Sequence, residues 1–290
     1  MRFTDWPQEL IFQVLHDEAI GLKEKCSLAR VNRPMHEILV PFLYQSIRIH
    51  LPASEAQDVD GKQLLSLQKT LSENPSRALF VQHLSFSWES YPERFQLEAK
   101  TWKEYPHQMK FHQNLEQAKD ELLSNLTKLQ TLTLEMVEKG RSWLRPQGNG
   151  PTYGCPFLVE SNLKELRELR FRGLPVGLNT IALSMCLPKL KVLEIQRLGH
   201  TSESIAEQHL GMRSSVRELH LGPFFKPNAN VEQLPHWTSL ERLSYDLGIY
   251  MGRGIPLYVG TLSQLLAPHT DTLVDLNLSG SDYSTPPTQD

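Results

Sequence analysis

The chain has 290 residues, 40% hydrophobic and 22% charged, with a formal net charge of −3. That slight acidic excess argues against nonspecific nucleic-acid binding, which needs a basic stripe to release phosphate counterions, and the Lys/Arg clusters are interleaved with acids, so no nucleic-acid partner is expected. No run approaches the ~20 apolar residues of a membrane helix, and Met1-Arg2-Phe3-Thr4-Asp5 lacks the apolar core of a secretory signal, so the chain reads as cytoplasmic or nuclear, with no membrane partner.

Three widely spaced cysteines, Cys26, Cys155 and Cys186, fit reduced thiols rather than a disulfide framework.

From Trp6 to Ile49 the pattern predicts a compact helical unit. Asp5 is placed to cap a first helix carrying Pro7 and Glu9 in its opening turn, with Leu10, Ile11, Val14 and Leu15 at helical spacing. After a break at Gly21, a second helix is expected through Cys26, Leu28, Ala29 and Val31, interrupted or restarted at Pro34. Met35 to Leu43 supplies a third, and Tyr44 to Ile49 alternates like a strand. A polar linker, Leu51 to Asp60, leads to an amphipathic helix, Lys62 to Glu73, stopped by Asn74-Pro75. Trp88 to Lys119 reads as a polar insertion whose second half turns helical through Phe111, Leu115, Ala118 and Leu122.

The rest of the chain follows one pattern, L-x-x-L-x-x-L-x-Φ. It is filled by Leu163, Leu166, Leu169 and Phe171, by Leu187, Leu190, Leu193 and Ile195, and by Trp237, Leu240, Leu243 and Tyr245; Val216, Leu219 and Leu221 make an intermediate copy. The third positions, Leu169, Leu193, Leu219 and Leu243, are 24, 26 and 24 residues apart by subtraction, a period within the range of leucine-rich repeats. Looser copies are Leu126, Leu129, Leu132 and Leu134, then Leu273, Leu276 and Leu278, with Leu84 and Phe86 opening the series. The asparagine that braces the turn in regular arrays is replaced by Val137, Leu174, Leu198, Phe224, Gly248 and Ser281, so other bonds or packing must hold the turns. Loops are expected at Lys139 to Pro156 and Leu247 to Gly260, and a frayed tail from Ser279. The expected fold is α/β: an irregular leucine-rich-repeat solenoid with parallel strands on its concave face, and a small helical unit before it. The divisions are 1–50, a linker and helix at 51–77, and the repeats at 78–290.

Trp6-Pro7-Gln8-Glu9-Leu10-Ile11, Cys26-Ser27-Leu28-Ala29-Arg30-Val31-Asn32-Arg33 and Val40-Pro41-Phe42-Leu43-Tyr44-Gln45-Ser46-Ile47, followed by Leu64-Leu65 to Asn74-Pro75 and Val81-x-x-Leu84-x-Phe86, together resemble the fungal proteins that join an F-box to leucine-rich repeats. The resemblance implies that Trp6, Pro7, Leu10, Ile11, Val14, Leu28, Val31 and Met35 are divided between internal packing and a surface that docks the Skp-type adaptor of a cullin ubiquitin ligase, while the repeats hold a target protein. In the plainer reading, the same helices only cap the edge of the repeats.

No constellation points to catalysis, a metal or a cofactor. Gly148, Gly150 and Gly154 lack phosphate-loop spacing and the following Lys-Ser/Thr. His107 and His112, or His209 and His220, match no zinc spacing, and no G-x-S-x-G is present. Specificity is expected instead from the positions between the strand leucines: Glu168, Arg170 and Arg172; Glu194 and Gln196; Glu218 and His220; Arg242 and Asp246; and Asn277. Alternation turns these side chains away from the core. Stacking places Arg170 beside Glu194 and Glu218 near Arg242, a mixed-charge face for a protein partner or simply a hydrated one.

Overall fold

The computed structural model describes residues 20–51, 59–90, 117–138, 158, 163–198, 213–224, 236–237, 240–246 and 266–279. The first expected helix, both long loops and the tail after Ser279 lie outside them.

Among the described residues two helices come first, α1 (Leu22–Ala29) and α2 (Arg33–Gln45). Asn32 separates them and accepts the Met35 N–H at 2.9 Å through Oδ1, satisfying one of the donors a helix start leaves open. Pro34 therefore begins α2 instead of breaking a helix, and Val31, expected inside the second helix, falls between the two. The chain continues through β1 (Ser46–Leu51), α3 (Val59–Glu73), the single turn α4 (Pro75–Ala78) and β2 (His83–Ser90). Helix α3 starts three residues before the expected Lys62, and Asn74-Pro75, expected only as a stop, also opens α4.

Residues 117–125 form α5, which precedes β3 (Thr131–Glu138) and β4 (Glu168–Val176). Lys119, expected at the edge of a polar insertion, is buried within α5, its Nζ 3.8 Å from Asp120 Oδ1. Then come α6 (Leu178–Met185), β5 (Val192–Leu198), β6 (Arg213–Ser214), β7 (Glu218–Phe224), β8 (His236–Trp237), β9 (Arg242–Asp246) and β10 (Asp275–Ser279). Ser279 thus closes a strand and does not open the tail.

Eight of these strands form one open parallel sheet in the order β1-β2-β3-β4-β5-β7-β9-β10, and β6 pairs with β8 in a small parallel sheet of its own. Within the larger sheet the strands follow chain order, each lying beside the next once β6 and β8 are set aside. The expected alignment of Leu169, Leu193, Leu219 and Leu243 is the observed register, and it extends in both directions to Ile47, Leu84 and Leu132 and to Leu276. Two residues on, a second row runs Ile49, Phe86, Leu134, Phe171, Ile195, Leu221, Tyr245 and Leu278. The rows pack with Leu64 and Leu71 of α3, Leu122 and Leu123 of α5, and Ile181 and Met185 of α6 in one core. A side-chain period of two fixes this register, since a slip of one residue would send every leucine to water.

The starts of the strands are tied together by the backbone. Gln82 O accepts the N–H groups of both Gln130 and Thr131; Gln130 O accepts from Arg167 and Glu168, and Arg167 O from Lys191 and Val192. Lys191 O, Arg217 O and Glu241 O repeat the arrangement with Arg217 and Glu218, Glu241 and Arg242, and Val274 and Asp275, all at 2.8–3.1 Å. The carbonyl just before each strand thus tethers the start of the next strand, at the opposite end from the turn where the asparagine would stand. Ser215 adds a side-chain link, its Oγ donating toward Leu187 O and Leu190 O at 3.0 and 2.9 Å.

The last strand departs from the expected burial. Leu276 and Leu278 are 42% and 45% exposed, although their counterparts in β2–β9 are buried. Beside β10, His269 is buried, and desolvation holds its imidazole below the ordinary value of 6.5. As pH falls the unfolded chain takes the proton first, so this contribution to stability is complete above about pH 6.5 and declines below it, toward the folded pKa. The urea midpoint should therefore drop less between about pH 7.5 and 5.5 in His269→Gln than in the native chain. Equal drops would contradict the assignment.

Candidate functional site

Trp6, Pro7, Leu10, Ile11 and Val14 lie outside the described residues. The remaining three of the expected adaptor residues part company. Met35 is buried with Ala29 and Leu39 in a small core between α1 and α2, and Leu28 is half-buried against it. Val31 is 67% exposed, as is Leu22 at 62%. The small core is separate from the one beneath the sheet, so the helix pair does not merely extend the leucine rows.

On the sheet face opposite the core, the intervening side chains form their own rows. One reads Ser46, His83, Thr131, Glu168, Val192, Glu218, Arg242 and Asp275; the next reads Arg48, Ser85, Thr133, Arg170, Glu194, His220, Ser244 and Asn277. Hydroxyl and imidazole groups dominate β1 to β3, and carboxylate with guanidinium dominates from β4 onward.

Glu194 is the centre of the charged half. Arg172 donates to both its oxygens, Nε at 3.0 Å and Nη2 at 3.1 Å; Gln196 Nε2 donates at 3.1 Å, and Arg170 Nη1 stands 3.8 Å away. Arg170 also donates to Glu168 at 2.9 Å. The paired Glu194 carboxylate, whose side chain is only 14% exposed, raises the pKa of Arg172 further and keeps it cationic. Both stacking expectations hold, and Glu218 additionally meets His220 Nε2 at 2.8 Å and Arg242 Nη1 at 3.6 Å.

The backbone shapes this cluster at two glycines. Gly173 has φ +67°, and its N–H donates to Gln196 Oε1 at 3.1 Å, just where the β4–β5 register shifts after Phe171. At Gly222 an added Cβ would come within 2.6 Å of Gln196 Cα, so β5 and β7 approach more closely there than a side chain allows. Alternation along β7 already puts Gly222 on the polar face with Glu218 and His220, whereas Gly173 was missed: it falls two residues after Phe171, where the pattern calls for an apolar side chain.

Asp246 is partly buried, whereas Arg242 and Asn277 are exposed toward the β10 edge. An open cleft of about 420 Å³ at the other end is lined by Tyr44, Lys62, Gln63, Ser66, Leu67 and Thr70. Among the described residues, no cluster of three His, Cys, Asp or Glu has the geometry to hold a metal, and no helix is long and apolar enough to cross a membrane. Comparison with protein-family models, curated proteins and solved structures found no match.

Proposed function

We propose that the chain is a non-enzymatic substrate receptor of a cullin-type ubiquitin ligase, with the parallel sheet as part of an irregular leucine-rich-repeat solenoid. The N-terminal helices would bind a Skp-type adaptor, and the polar face of the sheet would bind the target protein. The observation that carries this reading is the division of the strands into leucine rows, buried from β2 to β9, and a polar outer face that carries mixed charge from β4 onward. Most of its charge is internally matched, so partner choice rests on complementary placement of donors and acceptors. The separate core of α1 and α2, with Val31 in water beside it, favours a docking unit over helices that only cap a stand-alone scaffold.

A purified Skp-type adaptor should co-purify with the full chain. Val31→Asp should weaken that binding at least about tenfold, and Leu10→Asp with Val14→Asp should abolish it, both with unchanged far-ultraviolet circular dichroism. A native chain that remains folded and does not bind the adaptor would overturn the ligase reading and leave the scaffold.

A further inference from the structure

We infer that the β10 edge is a self-association surface: two copies of this chain join their β10 strands antiparallel, about a two-fold axis at Asn277, into one continuous sheet. Strand β10 ends the sheet order, paired only with β9 among the described residues. Solvent-exposed edges of this kind are usually blunted by lysine, proline or an inward charge. Val274-Asp275-Leu276-Asn277-Leu278-Ser279 carries none of these except Asp275, and Val274 is 86% exposed.

The register follows from the hydrogen bonds already made. Asp275 N donates inward to Glu241 O, and in a parallel strand the direction alternates, so Asp275, Asn277 and Ser279 face β9 while the N–H and C=O groups of Leu276 and Leu278 point outward. An antiparallel partner must present outward groups opposite outward groups. Pairing Leu276 with Leu278 of the second copy satisfies both sets at once, and it puts Asn277 opposite Asn277 in the closer, non-hydrogen-bonded position.

The side chains agree with that register. All four leucines fall on the apolar face and prolong its two rows across the junction, covering the 42% and 45% that Leu276 and Leu278 leave in water. On the polar face, Asp275 meets Ser279 of the other copy. The two Asp275 carboxylates then lie about 14 Å apart, four residues at ~3.4 Å each, beyond the ~8 Å screening length at physiological salt.

Because the axis passes through one residue, the test is a charge swap. Light scattering of the full chain between about 1 and 200 µM should show the mass rising from 33.3 kDa toward twice that value. Asn277→Asp alone and Asn277→Lys alone, each placing like charges opposite each other, should stay monomeric with native circular dichroism, and an equimolar mixture should recover the dimer. A native chain that stays monomeric, or a dimer that survives both single variants, would overturn the proposal. So would a mixture that fails to associate, or growth past two copies, which would mean a head-to-tail contact.

Discussion

Leu193→Ala should lower the unfolding free energy by about 3–4 kcal/mol, because the side chain is fully buried between Leu169 and Leu219 and neither neighbour can close the space it leaves. Leu278→Ala, chemically the same change, should cost less than about 1 kcal/mol at low protein concentration, since nearly half of that side chain is already in water. The comparison uses urea midpoints with unchanged slopes. Its informative quantity is the difference: a central leucine has a partner on each side, whereas the terminal one has a partner on one. Similar losses at both positions would mean that burial does not fall off toward the β10 edge.

Gly173→Ala should be nearly as damaging, at about 3 kcal/mol or more. An L-residue at φ +67° costs roughly 1–2 kcal/mol, and a Cβ there would sit 2.4 Å from the carbonyl oxygen of Met136, a backbone atom held in the neighbouring strand. The two causes are separable. Asparagine tolerates this region of φ better than alanine does, so relief in Gly173→Asn would identify conformational strain as the main cause. The contact with Met136 is too close for either residue, and Gly173→Asn is therefore expected to lose about as much stability as Gly173→Ala. Melting followed by circular dichroism checks both.

The leucine rows were legible because their signal is local and repeated. Leu169, Leu193, Leu219 and Leu243 recur at nearly constant intervals, each flanked by a polar residue and then a second apolar one, and a pleated strand can satisfy that alternation on only one face. The same logic placed Glu194 beside Arg170 and Glu218 beside Arg242. It did not single out Arg172 as the bidentate partner of Glu194, because that pair is diagonal and depends on the local shift after Phe171. Helix α6 lies in a return segment for which the repeat pattern specifies no element, although Leu178, Ile181, Ala182 and Met185 have helical spacing.

Other features were not legible, for physical reasons. The bifurcated carbonyl ladder from Gln82 to Glu241 is made by backbone atoms, so no side chain announces it. Lys119 looked like part of a polar insertion, and only the docking of α5 removes it from water. Val31 fitted an apolar helix by composition, yet α1 ends at Ala29 with Arg30 as its C-cap and Asn32 caps the start of α2, so Val31 falls between them. Leu276 and Leu278 match the repeat in sequence, and their exposure depends on being last in the strand order.

The central claim is that the strands lie in one parallel column with the leucines in register, and disulfide trapping tests it most directly. On a background without the three native cysteines, cysteines at His220 and Ser244, which face each other across β7 and β9, should oxidise readily, because registered neighbours about 4.8 Å apart are within disulfide reach. Cysteines at His220 and Tyr245 would project from opposite faces and should remain free. Efficient bonding of the first pair alone is the predicted result. Bonding of the second pair, or of neither, would contradict the register and the polar recognition face derived from it.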